Sequence, residues 1–427
     1  MAPVEFGFRA IFKSRTRQRP SSAIFVTFVG VEINAMNLLS RGWANFIRTF
    51  WPAAILFALV VLIVSFQIWL LPGGYVDGAY YTQYNNYVIF KQSFFHLIHL
   101  QDLYASYLHE QWDFYKYSPT FSLLFAPLAI LPDIVGLIIW NGLNAFLLFL
   151  GVIYLPQFSQ KSKIKILLFV LIELVTSMQN AQSNAMMVGL ILLGFCYLER
   201  GHFFWGIFFI VLTVFIKVYG ILALGLLLFY PNKSKLILYT SISSAVLFLL
   251  PLLAIGGAQL VFLYESWWNL LKDDHTNSFG LSVMGWLTSW FRITPPKMMV
   301  LLFGTLLLGL PLLWWRRYSM YAYRVIWLAS LLIWLVIFNH KAESPTFIVA
   351  VVGVTIWYYC KPRGVVDLTL IVLVFIFTIL STTDIFPNYI QDNFFDPFAV
   401  KAVPCIVVWA RISYELLFEK DFKPSIQ

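Results

Sequence analysis

Long apolar runs separated by short polar breaks set the rhythm of this chain, and that rhythm predicts its elements. Thirteen apolar segments stand at roughly 50–71, 120–131, 133–155, 164–178, 184–199, 203–216, 218–230, 235–256, 297–315, 321–339, 344–360, 365–380 and 399–418. Each is continuous rather than alternating, which suits helices and excludes a strand barrel. Several fall short of the ~20 residues that a perpendicular span needs, so flanking residues are expected to extend them. The 120–131 segment is short and carries or adjoins Pro119, Pro127 and Pro132, and it is expected to dip into the membrane and return. Twelve crossings follow, with thirteen as the alternative. The expected fold is an all-α polytopic membrane bundle, with residues 49–420 as a single integral-membrane domain between a basic arm (1–48) and a short tail (421–427).

The widest polar interruption runs from Asp77 to Pro119 and holds Asp77, Asp102, Glu110 and Asp113 with His96, His99 and His109. Residues 88–100 fit an amphipathic helix, with Phe90, Phe94 and Leu97 on one face and Gln92, His96 and His99 on another. Such a helix suits the headgroup plane, its rings dipped into lipid.

Composition agrees with this picture: 60% of residues are hydrophobic, 11% are charged, and mean hydropathy is +0.78. No water-soluble fold exposes so apolar a surface. The net charge of +9 is not a nucleic-acid signal, because Lys and Arg gather at span ends rather than along one stripe. They mark orientation and anionic lipid headgroups instead. Arg9, Lys13, Arg15, Arg17, Arg19, Arg41 and Arg48 outnumber Glu5 and Glu32, which puts the N-terminus in the cytoplasm. The first apolar run begins near Phe50, too late for a cleavable signal peptide, and Met36 offers an alternative start. Cys196, Cys360 and Cys405 lie in or beside apolar runs without metal spacing and read as packing residues.

If the clusters at Lys161–Lys165, Arg200, Lys233–Lys235, Arg316–Arg317 and Lys361–Arg363 are all cytoplasmic, the other face receives nearly every group able to do chemistry. That face holds loops 72–118, 257–296 and 381–398, the QNAQSN turn (Gln179 to Asn184), Lys217 and the NHKAESP stretch (Asn339 to Pro345). A one-sided distribution argues for an outward-facing enzyme, since a transporter needs polar groups near the midplane and usually shows internal repeats. A flippase for lipid-linked sugars and a polysaccharide polymerase or ligase remain the other classes. A polymerase should carry paired arginines in a large outer loop, and 257–296 has only Arg292.

The order of local motifs resembles glycosyltransferase family 87, the polyprenyl-phosphate-mannose-dependent mannosyltransferases of the GT-C superfamily. The matching residues are Leu103-Tyr104, Tyr117-Ser118-Pro119, Pro127 to Pro132, and Trp140 with Asn144. Gln182-Ser183-Asn184 is similar to the family's Gly-Gln-x-Asn, Lys217-Val218-Tyr219 to its Lys-x-x-Pro segment, and NHKAESPTF to its last motif. The chain departs from the family at the acidic residue expected about twenty positions before Leu103-Tyr104. That window reads Gln83-Tyr84-Asn85-Asn86-Tyr87, and the nearest acid is Asp77. Either Asp77 supplies the carboxylate from a shifted backbone or the base comes from elsewhere.

The resemblance implies transfer of a mannose-like monosaccharide from a polyprenyl-phosphate donor to a lipid or glycan acceptor at the outer face of a plasma or inner membrane. Because phosphate leaves readily, the tasks are to deprotonate the acceptor and to stabilise the departing charge. Attack from the opposite face would invert the anomeric centre. Asp77 and His340 are the candidate catalytic residues, and Lys217 and Lys341 the candidate phosphate ligands. Tyr117, Gln182, Asn184, Tyr219 and Glu343 are the candidate substrate contacts. Each has a plainer reading: Asp77 as a turn residue in VDGAY, Lys217 as a snorkelling anchor, and the Gln179–Asn184 cluster as a wet turn. Neither a metal nor a cofactor is called for; His96 and His99 at i,i+3 read as solvated. Glu173 falls inside a span and is expected to pair with a neighbouring helix.

Overall fold

In lipid only a helix or a closed barrel satisfies its own backbone polar groups, and the continuous apolar runs take the first course. The computed structural model describes residues 49–273 and 279–419. The basic arm 1–48 with Met36, part of the 257–296 loop (274–278), and the tail 421–427 lie outside the described residues. Met1–Pro52 is one unit, of which 49–52 are described; Ala53–Gln427 is the other and carries all that follows. The chain is an all-α polytopic membrane protein. Among the described residues, four helices are long and apolar enough to cross a membrane: Thr49–Leu70 (α1), Asp133–Ile153 (α5), Lys233–Leu253 (α9) and Val365–Thr382 (α15).

Between α1 and α5 lies the first polar loop. It begins with a small hairpin, β1 (Gly74–Val76) and β2 (Ala79–Tyr81), paired antiparallel with Val76 opposite Ala79. Asp77 and Gly78 make its two-residue turn, both at positive φ (49° and 80°), the conformation a tight hairpin requires. Helix α2 (Asn85–Ile98) follows, then two short helices, α3 (Pro119–Leu124) and α4 (Ala126–Ala129). Pro119 and Pro127 stand in the first turns of these two helices, where a missing N–H costs nothing. At six and four residues they are too short to cross a bilayer.

The amphipathic helix is present, but its apolar face meets protein rather than lipid. The Phe90 ring lies 4.8 Å from Tyr117, 5.3 Å from Phe121 and 5.3 Å from Trp140, and both Phe90 and Leu97 are fully buried. Edge-on ring pairs of this kind add to area burial. His96 is also buried, under the Tyr107 ring and 2.9 Å from Glu110, so it is not a solvated histidine. Periodicity identifies an apolar face and does not say what covers it.

Helices α6 (Gln160–Gln179), α7 (Asn184–Glu199) and α8 (Phe203–Ile216) come next, then a 3-10 segment (Val218–Phe229) before α9. Twelve residues of 3-10 helix rise about 24 Å, which lets so short a segment reach as far as a longer α-helix. Helix α7 is buried on every side, as a helix apolar all round must be. It packs closely on α5: a Cβ at Gly189 would meet the Leu147 carbonyl carbon at 2.4 Å, so only glycine lets the two backbones approach.

The second half contains α10 (Gly257–Asp273), α11 (Val283–Phe291), α12 (Lys297–Gly309), α13 (Tyr321–Ile337), α14 (Phe347–Tyr359), the short α16 (Asn388–Ile390) and α17 (Val403–Phe418). Glu173 of α6 meets Lys401 at 2.8 Å, and both side chains are buried, so the acid inside a span is paired. Cys196, Cys360 and Cys405 are buried free thiols.

Candidate active site

Four segments distant in sequence converge at one end of the bundle. The outer loop is pinned to α10, where Ser266 donates to Asp102 at 2.9 Å and the Trp267 indole to the Lys116 carbonyl at 3.2 Å. Ser118 caps α3 and donates to the Phe215 carbonyl at 2.5 Å, which sets Tyr117 beside the turn that carries Lys217. The turn between α6 and α7 is held from α5: the Trp140 indole donates to the Ala181 carbonyl at 2.8 Å, and Asn144 accepts from the Met186 N–H at 3.0 Å. The Trp140–Asn144 motif therefore positions the turn. NHKAESP is held in turn by the segment before α11, where Leu281 N donates to the Ala342 carbonyl at 2.8 Å. Gly280 sits at φ +53°, and a Cβ there would meet the His340 carbonyl oxygen at 2.7 Å.

These segments enclose a cavity of about 700 Å³. Its polar end is a hydrogen-bonded chain. Lys217 Nζ donates to Asn184 Oδ1 at 2.7 Å, and Asn184 Nδ2 to Gln182 Oε1 at 2.6 Å and the Pro345 carbonyl at 3.1 Å. Gln182 Nε2 then donates to Glu343 Oε2 at 3.0 Å. The Tyr219 hydroxyl reaches Asn184 Oδ1 at 3.4 Å, and the Lys217 ammonium lies 5.8 Å from the Tyr117 ring centre and 5.9 Å from that of Tyr219. Lys217 occupies the turn between α8 and the 3-10 segment, outside both. Burial pulls its ammonium down to about 8; Glu343 opposes that shift and Lys116 adds to it. The lysine shows some surface because the cavity opens onto it.

The same cavity is also lined by the apolar side chains of Val218, Ile221, Leu222, Leu271, Leu301 and Phe338. Of these, Ile221 is 51% exposed. Trp334 also lines the cavity, and its buried indole N–H has no hydrogen-bond partner among the described residues.

Of the residues singled out from the sequence, Lys217, Lys341, His340, Tyr117, Gln182, Tyr219 and Glu343 line this cavity. Asn184 stands behind it as the acceptor for Lys217. Asp77 is not among them; it is exposed at the tip of the β1–β2 turn. Asn180, in the Gln179–Asn184 cluster, lines it too, whereas sequence reading did not nominate Gln83, Asn85, Asn86, Asp113 or Lys116, all of which line the cavity. The available signal was the charge pair in Asp113-Phe114-Tyr115-Lys116, interleaved with aromatic residues beside a motif residue, Tyr117. Among the described residues, the carboxylates in the lining are Asp113 and Glu343. Among the described residues, no group of three or more His, Cys, Asp or Glu could hold a metal ion.

The sequence model of glycosyltransferase family 87 matches residues 114–338, from the loop beside Asp113 to the end of α13. No curated protein matches the chain.

Proposed function

We propose, from the premise that the chain belongs to glycosyltransferase family 87 and so is a membrane glycosyltransferase, that it moves one mannose-like monosaccharide from polyprenyl phosphate to a lipid or glycan acceptor, with inversion, on the non-cytoplasmic face. The observation that carries this reading is a single cavity lined both by the cations Lys217 and Lys341 and by a set of apolar side chains, Ile221 among them exposed. A polyprenyl-phosphate sugar has the same two parts. Its phosphate suits Lys217 and Lys341, and its isoprenoid chain suits Ile221, Leu222 and Leu301.

As the bond from the anomeric carbon to phosphate breaks, negative charge collects on the leaving oxygen. A preorganised ammonium held between protein walls stabilises that charge more than a freely solvated one would. The chain through Asn184, Gln182 and Glu343 holds Lys217 in place and supports its charge. Tyr117, Tyr219 and His340 then face the sugar. The outer location is supported by the helices themselves. Helix α7 runs from Asn184 to Arg200, α14 from NHKAESP to Lys361 and Arg363, and α13 from Arg316 and Arg317 to NHKAESP. Each has the cavity at one end and basic residues at the other, as the positive-inside rule requires of an outward-facing site.

The test is transfer by purified full-length protein in lipid nanodiscs, supplied with radiolabelled polyprenyl-phosphate hexoses and membrane lipid extract. Label should enter a product of inverted anomeric configuration. Transfer from a nucleotide sugar with no lipid carrier, or retention of configuration, would overturn the reading.

A further inference from the structure

A hydroxyl acceptor must lose its proton as it attacks, and among the described residues lining the cavity those that could take it are Asp113, Glu343 and His340. Glu343 is engaged at the phosphate end: it accepts from Gln182 at 3.0 Å, and its charge sustains that of Lys217. His340 adjoins Lys341 in the same turn. Asp113 comes from a different element, the loop from Trp112 to Tyr117, folded onto the start of α2 by the Trp112 N–H bond to Asn85 Oδ1 at 3.2 Å. Its carboxylate is oriented by the Phe114 N–H at 2.7 Å and Lys116 Nζ at 2.8 Å, one on each oxygen. Each carboxylate oxygen keeps a second lone pair for an acceptor O–H. The neighbouring lining residues Gln83, Asn85 and Asn86 are neutral amides, which pair with hydroxyls and do not compete for a proton.

We propose that Asp113 is the general base of the transfer and that the amides beside it receive a polyhydroxylated acceptor, such as a glycan or a sugar-bearing headgroup. This rests on the transfer reading above. The acceptor O–H bond breaks and its proton passes to an Asp113 oxygen. The acceptor oxygen bonds the anomeric carbon, and the bond from that carbon to phosphate breaks with its electron pair staying on the phosphate, beside Lys217. The Asp113 side chain is 38% exposed, so the proton can leave to water after turnover.

The test uses full-length protein in nanodiscs, a polyprenyl-phosphate sugar on which the wild type is active, and two acceptors. One is the hydroxyl acceptor; the other is azide, a nucleophile with no proton to remove. Asp113→Asn and Asp113→Ala should lower transfer to the hydroxyl by ~100-fold or more, with donor KM unchanged and thermal stability close to wild type. With azide, Asp113→Ala should form the glycosyl azide at least as fast as the wild type. A merely structural role would depress both acceptors alike, and that result overturns the proposal. So does hydroxyl transfer near the wild-type rate in Asp113→Asn, or an azide-restored defect in Glu343→Gln instead. A wild type inactive with every polyprenyl-phosphate sugar would bring down the transfer reading and this assignment with it.

Discussion

Lys217 holds its charge inside a protein-walled cavity because Asn184 accepts from it at 2.7 Å and Glu343 contributes an opposing field. A lysine that only snorkels needs an aliphatic stem and a positive head, so arginine would serve. One that meets a phosphate at close range is a compact point charge, and the wider guanidinium would displace the donor. Misplacement on the order of 1 Å can cost ~100-fold in rate. Lys217→Gln should therefore nearly abolish transfer while the protein inserts normally, and Lys217→Arg should retain a small fraction; wild-type turnover by purified Lys217→Gln would make the residue an anchor. The sign of the pH dependence follows from the same burial. Below about 8 the Lys217 ammonium is charged, and above it the group loses its proton, so kcat/KM for the donor should fall as pH rises through that value. The residual activity of Lys217→Arg should lack this limb, because guanidinium stays protonated. A wild-type profile flat from pH 7 to pH 10 would show that Lys217 does not meet the donor's charge.

At the scale of elements, buried polar contacts join close packing in deciding which helices are neighbours. In lipid every helix has a greasy surface, so a hydrogen bond or ion pair discriminates where hydrophobicity does not. The Glu173–Lys401 pair ties α6 to the turn before α17, and Lys401 also reaches Thr382 Oγ1 at 3.2 Å. Lys401→Met leaves a buried carboxylate alone and should lower stability by about 3–5 kcal/mol. Adding Glu173→Gln should recover much of that loss. Thermal unfolding in detergent checks both, and equal midpoints for the single variant and the wild type would show that the pair contributes little. That Glu173 would need a partner was legible from its place in an apolar run; that the partner is Lys401, 228 positions away, was not. The α2 helix teaches the same lesson, since its apolar stripe was legible and its cover, Tyr117, Phe121 and Trp140, came from later in the chain.

For the whole molecule, the expected orientation places loops 72–118 and 257–296 and NHKAESP outside, and the basic clusters inside. Single cysteines in these outer loops, in a background lacking the native three, should react with a membrane-impermeant maleimide in intact cells. Cysteines at Lys233 or Arg316 should not, and labelling there would reverse the orientation. The sequence by itself determined the class, the helices and the chemistry available: apolar runs of this length leave no other fold in lipid, and interruptions such as Lys217 and NHKAESP are conspicuous within them. It also placed most of the polar end of the cavity, because those residues sit in motifs whose order resembles one family. Only the tertiary structure decided which polar groups meet. Asp77 and Asp113 are both acids in one polar loop, and the charge pair beside Tyr117 does not by itself say which of them reaches the site. The tight β1–β2 turn leaves Asp77 exposed, whereas Asn85, reaching 27 positions along the chain to Trp112, brings Asp113 into the cavity wall. Such contacts arise from chain closure in three dimensions, which periodicity along one helix does not encode.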